Sequence, residues 1–193
     1  HVTIGWIYVA AMGVVALSAL TMGVWRIAAP ASSDETVAFS WFLLFIALLS
    51  SATAWYGIRV LRFKNRTGRH QNAVDLAIPA LLIASGIAIS VYGFLIDFPL
   101  LAWFPLVGLF LGTIQLVYWL NPPRKKMHWW FEHLIGMLSC CIATLTAFTV
   151  FGAPRLLNVD AVSPLLWFVP TIVIVPVIIG FSVYYAKKFH ARQ

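Results

Sequence analysis

The residues of this chain best suited to chemistry are five histidines, His1, His70, His128, His133 and His190, and two carboxylates in the same parts of the sequence, Asp75 and Glu132. Imidazole and carboxylate together supply the nitrogen and oxygen ligands that zinc or iron accept. Two imidazoles on facing helices can also hold a haem iron axially. His133 falls about one turn into a helix, with His1 and His70 at comparable depth on neighbouring segments. The candidate cofactor set is therefore His1, His70 and His133, for haem b or for a divalent metal such as zinc or iron, with Asp75 and Glu132 as further metal ligands. A cofactor-free account competes with it: Asn72 can cap a helix with Asp75 three residues on, and Glu132 suits the first turn of a helix through the macrodipole. The sequence has no HExxH, CxxC or His-x-x-His motif, and it has no Gly-rich phosphate loop, nucleophile elbow or kinase element. The cluster thus names no reaction, and whether the chain is an enzyme stays open.

The elements that must position these residues are membrane helices. Of 193 residues, 62% are hydrophobic and only 10% charged, where a soluble domain carries about 25% charged residues. A mean hydropathy of +0.91 excludes a disordered chain, and two cysteines exclude a disulfide scaffold. About 20 apolar residues cross a bilayer core of roughly 30 Å. Six segments qualify, at about 3–25, 37–61, 73–96, 100–120, 129–151 and 165–185. The expected fold is all-α, a polytopic six-helix transmembrane bundle forming one domain over 1–193. No segment reads as a removable signal peptide, and Cys140 and Cys141 read as reduced packing residues.

Alternate crossing sends the amino terminus, the 62–72 and 121–128 loops and the carboxyl terminus to one side. That side receives eleven of the thirteen cations, all but Arg26 and Arg155. Because short cytoplasmic loops hold the excess of Lys and Arg, both termini are expected inside a bacterial cytoplasmic (inner) membrane, and all five histidines then face the cytoplasm. The net charge of +7 is explained by topology and by anionic headgroups, so the expected partner is the lipid bilayer and not nucleic acid. Trp25, Trp41, Trp103 and Trp167 on one side, with Trp119, Trp129, Trp130 and Tyr185 on the other, read as aromatic belts.

Polar and small residues at helical spacing mark faces buried between helices. The third span carries Asp75, Pro79, Gly86, Ser90, Gly93 and Asp97 on one stripe. The fifth carries His133, Met137, Cys140, Thr144 and Phe148. The fourth carries Gly108 and Gly112, with Gln115 beyond them. Helix packing accounts for these stripes, and the chain reads as a membrane component or accessory subunit, associated with other membrane subunits or with itself. The alternative is a small transporter that uses the stripes of the third and fifth spans and a sixth span kinked by Pro170 and Pro176.

The entry into the first span, His1-Val2-Thr3-Ile4-Gly5-Trp6-Ile7-Tyr8, has the form H-x-x-x-G-x-x-Y. It is followed by Trp55-Tyr56-Gly57-Ile58-Arg59 near a basic loop and by a later histidine before a helix. In these features the chain resembles bacterial predicted membrane proteins of domain-of-unknown-function family 2306, over about the first 70 residues. Where that family usually has a His-Arg pair and then a Met, this chain has His133-Leu134-Ile135-Gly136-Met137. The resemblance implies a polytopic membrane protein with His1 as a site residue, and it supplies no activity.

Overall fold

The computed structural model describes residues 2–124, 127–152, 156 and 167–190. His1, Lys125, Lys126, Arg155, Asp160 and Arg192 lie outside the described residues, as does the start of the sixth expected span. All regular structure among the described residues is helical: α1 (Val2–Ala28), α2 (Asp34–Arg59) with a 3₁₀ turn at Val60–Phe63, α3 (Ala73–Leu95), α4 (Pro99–Trp103), α5 (Leu106–Leu120), α6 (His128–Ala147) with a π turn at Phe148–Gly152, and α7 (Val169–His190). Among the described residues, six helical stretches are long and apolar enough to cross a membrane, with α4 and α5 together making one of them. This is a multi-pass helical membrane protein. Its helices gather into two compact units, one of residues 1–56 and 65–124, the other of residues 57–64 and 125–193.

In the first unit, helix ends follow local chemistry. α1 finishes with Arg26 in its last turn, where a cation suits the carbonyl end. Pro30 follows, and the Ser32 hydroxyl donates to the Arg26 carbonyl at 2.6 Å. α2 starts three residues earlier than the apolar run, because Ser33 Oγ accepts from the Thr36 amide at 3.3 Å and Asp34 and Glu35 occupy the first turn. Asn72 caps α3 as expected, its side-chain oxygen accepting from the amides of Val74 and Asp75. The expected span at 100–120 is broken at Pro105 into α4 and α5, since a proline there cannot donate to the preceding turn.

The stripe on α3 is real with one exception. Asp75, Pro79, Leu82, Gly86, Ser90 and Gly93 are its buried residues, whereas Asp97 lies beyond the helix end and is exposed. Asp97 is in the left-handed region, φ 53°, and the Phe98 amide donates back to the Gly93 carbonyl at 2.9 Å. That closure is a Schellman-type cap, and Asp is one of the few residues besides Gly that tolerates its geometry. The matching stripe on α5 is Gly108, Gly112, Gln115 and Trp119.

These glycines let backbones touch. A Cβ on Gly86 would lie 3.0 Å from the Pro105 carbonyl oxygen, and one on Gly93 would overlap the Leu101–Ala102 peptide. The Ser90 hydroxyl donates to the Ala102 carbonyl across the same seam. In lipid, helices associate through such close packing and hydrogen bonding, because apolar area gains nothing by leaving hydrocarbon. Phe45, Leu49, Ala52 and Leu82 form the apolar core beside it, and Phe42 meets Phe104 edge-on at 5.1 Å.

In the second unit, the end of α2 and its 3₁₀ turn pack on α6, and α6 packs on α7. A Cβ at Gly57 would meet Met137 Sδ at 3.0 Å and the Met137 amide nitrogen at 3.3 Å. The stripe expected on α6 continues through Cys140, which is buried, but Phe148 is exposed. Phe148 ends α6 and opens the π turn, beyond the stretch over which His133, Met137 and Cys140 repeat. In α7 only Pro176 is interior. Pro170 is the second residue of the helix, where a missing N–H costs nothing, so it does not contribute the expected kink.

Candidate functional site

The polar centre of the first unit forms where the 65–72 loop folds over the carboxyl end of α5. The last carbonyls of any helix lack intrahelical donors. Here Arg66 serves them: its Nη2 donates to the Tyr118 carbonyl at 2.8 Å, and its Nη1 to those of Asn121 and Trp119 at 3.0 and 3.1 Å. Nη1 also reaches the Gly68 carbonyl at 3.0 Å, which closes the loop on itself. The guanidinium lies 4.5 Å from the centre of the Tyr118 ring, a stacked cation on an aromatic face.

With the loop held this way, the His70 amide donates to the Trp119 carbonyl at 2.9 Å. The His70 ring lies 4.5 Å from the Trp119 ring, tilted by 36°. Its Nε2 is 2.7 Å from Asp75 Oδ2, and the side chains are 10% and 0% exposed, respectively. Trp119 is itself 1% exposed and takes Tyr56 edge-on at 5.7 Å. The belt expected from the sequence therefore loses this member: Trp25 and Trp103 are strongly exposed, as lipid-facing anchors should be, but Trp119 is a core residue that floors the histidine.

A carboxylate inside a membrane span persists only with a partner, and His70 provides one. With Asp75 ionised, the His70 Nε2–H donates to it, which fixes both the tautomer and the ring plane. Carboxylate-backed imidazoles of this type serve as oriented metal ligands and as bases. Gln115, one turn below Trp119 on α5, is buried, and its side-chain oxygen has no hydrogen-bond partner among the described residues.

Replacing Asp75 tests how far this pair supports the fold. Asp75→Ala leaves His70 without its acceptor and is expected to cost about 2 kcal/mol, whereas Asp75→Asn keeps an acceptor oxygen and costs under about 1 kcal/mol. Equal losses for the two variants in unfolding of the detergent-solubilised protein would show that the hydrogen bond contributes little.

His133 belongs to the second unit. Its Nδ1 lies 2.6 Å from the Gly57 carbonyl oxygen, and Glu132 beside it is half-buried. Of the expected ligands, His70 and Asp75 are thus brought into direct contact, His133 and Glu132 are neighbours on α6, and His1 lies outside the described residues. Among the described residues, no three or more His, Cys, Asp or Glu side chains are grouped as ligands of one metal ion.

Two members of the site, Arg66 and Trp119, are absent from the sequence-based candidates. Trp119 continues the Gly108, Gly112, Gln115 stripe at the next four-residue step, so the periodicity carried the signal. Nothing in the sequence separates Arg66 from Arg62 or Arg69. Compared with protein-family models, with curated proteins and with solved structures, the chain matches none.

Proposed function

We propose that the chain is a multi-pass component of a bacterial inner membrane, with both termini cytoplasmic, which acts as an accessory subunit bound through its outer helix faces to other membrane helices or to copies of itself. The observation that carries this reading is α1. Only 11% of its apolar window is buried, and around Gly5 and Gly13 a Cβ would meet nothing within 4 Å. Small residues on an outward apolar helix permit close approach by another helix. The stripe of α3 that a carrier would turn toward a substrate cavity is instead filled by the backbone of α4 and α5, which favours the subunit over the transporter. The His1–Tyr8 motif supports membership of family 2306, and the lopsided cations support the orientation.

The expected result is a native-membrane assembly larger than the single chain on non-denaturing gels, which Gly13→Phe dissolves. Migration of the unaltered protein as a single 21.5 kDa chain in its lipid or detergent shell would overturn the subunit reading. Labelling that reaches the 62–72 and 121–128 loops from opposite sides would overturn the orientation.

The His70–Asp75 pair favours a second element, a bound metal (zinc or iron) or haem b on the cytoplasmic side, with His1 of the same unit as the further candidate ligand. An aspartate-oriented imidazole is the usual support for such a ligand. Purified protein is expected to carry stoichiometric metal or a Soret band that His70→Ala removes; a preparation with neither would overturn it.

A further inference from the structure

The second unit carries an excess of positive charge on an aromatic platform. Its described residues include Arg59, Arg62, Lys64, Lys187 and Lys188 but only one carboxylate, Glu132. α6 begins where α7 ends: Trp130 lies 4.6 Å from Tyr185 and 5.6 Å from Phe189, ring to ring. The 3₁₀ turn is tied to the same place, with Lys64 Nζ 4.6 Å over the Trp129 ring. On α7, Lys188 Nζ is 5.6 Å over Tyr185 and 5.9 Å over Tyr184. Lys64, Lys187 and Lys188 are exposed, and none of them is paired with a carboxylate among the described residues.

From this juxtaposition we infer that the α6–α7 end of the second unit is a docking surface for anionic phospholipid, whose headgroup phosphates neutralise Lys64, Lys187 and Lys188. The reasoning is one of charge and depth. Tryptophan and tyrosine at the ends of apolar helices sit at headgroup level, and lysine stems lie along apolar surface while their heads stay wet. A ring face orients an ammonium group without cancelling its charge, so each lysine still needs a counter-ion at that depth. Phosphodiesters of anionic lipids are concentrated there, and basic residues near the surface attract them additively. The surface belongs to a different unit from the His70–Asp75 pair and stands whether or not the chain has protein partners.

The test uses the full chain reconstituted in phosphatidylcholine with a few per cent of spin-labelled phosphatidylglycerol or spin-labelled phosphatidylcholine, reading the motionally restricted fraction of each. The unaltered protein should prefer phosphatidylglycerol several-fold. Each cation neutralised should lower that preference by up to about fivefold, so that Lys64→Gln/Lys187→Gln/Lys188→Gln brings it close to parity while the corresponding arginine variant keeps it. High salt should weaken the preference, since these charges are solvent-exposed. Equal restriction of the two lipids by the unaltered protein would overturn the proposal, as would an undiminished preference in the glutamine variant. Loss of the preference on adding millimolar inorganic phosphate at constant ionic strength would reassign the surface to a free anion, and would equally overturn it.

Discussion

Gly93→Leu lowers the unfolding free energy of the reconstituted protein by about 3 kcal/mol, and Gly93→Ala by about 2 kcal/mol. The reason is steric and local. A Cβ at this position overlaps the backbone of Leu101 and Ala102, and no rotamer change can clear a backbone atom. Relief requires α4 to move off α3, which also breaks the Ser90–Ala102 hydrogen bond. Both carbonyl and hydroxyl would then sit in a low-dielectric surrounding without each other, where an unsatisfied polar group is costly. Gly180 on α7, around which a Cβ meets nothing within 4 Å, is the control. Gly180→Leu is expected to be neutral or slightly stabilising, as for an open helical glycine. A Gly93→Leu protein that unfolds like the unaltered one would show that α3 and α4 are not held by backbone contact.

Arg66→Ala is expected to cost about 3 kcal/mol, because charge-assisted hydrogen bonds contribute about 1.5–3 kcal/mol each and several are shared by one half-buried guanidinium, with partial solvent screening of the total. Arg66→Lys should recover only a minor part: an ammonium cannot span the Tyr118, Trp119 and Asn121 carbonyls with a planar fork. The effect should also be local. Amide exchange at His70 is expected to rise in Arg66→Ala, since the His70 amide bonds the Trp119 carbonyl only while the loop is closed over α5. Unchanged His70 protection together with unchanged stability would reduce Arg66 to a surface cation.

How much of the site could be read in advance follows from which interactions are local. Asn72 and Asp75 are three residues apart, and a cap needs nothing else, so the start of α3 was legible. The α3 and α5 stripes were legible too, because a helix repeats its faces every three to four residues. That rule failed at the ends of helices. Phe148 left the α6 stripe at the π turn, and Asp97 left the α3 stripe by passing into a left-handed cap. Trp119 departs from the expected belt for a different reason: an aromatic residue at a helix end serves equally as an interfacial anchor or as a buried floor. The choice depends on what the neighbouring loop lays over it.

By itself the amino-acid sequence determined that this chain is built of apolar helices long enough to cross a bilayer. In hydrocarbon the backbone must satisfy its own hydrogen bonds within each segment, which makes span and secondary structure matters of local composition. Tertiary structure alone decided that His70 bonds Asp75 rather than solvent, that Arg66 rather than Arg62 or Arg69 closes α5, and that His133 meets the carbonyl of Gly57. Those contacts join residues up to 76 positions apart, and hydropathy and periodicity carry no information about which distant carbonyl will lie within 3 Å of a given side chain.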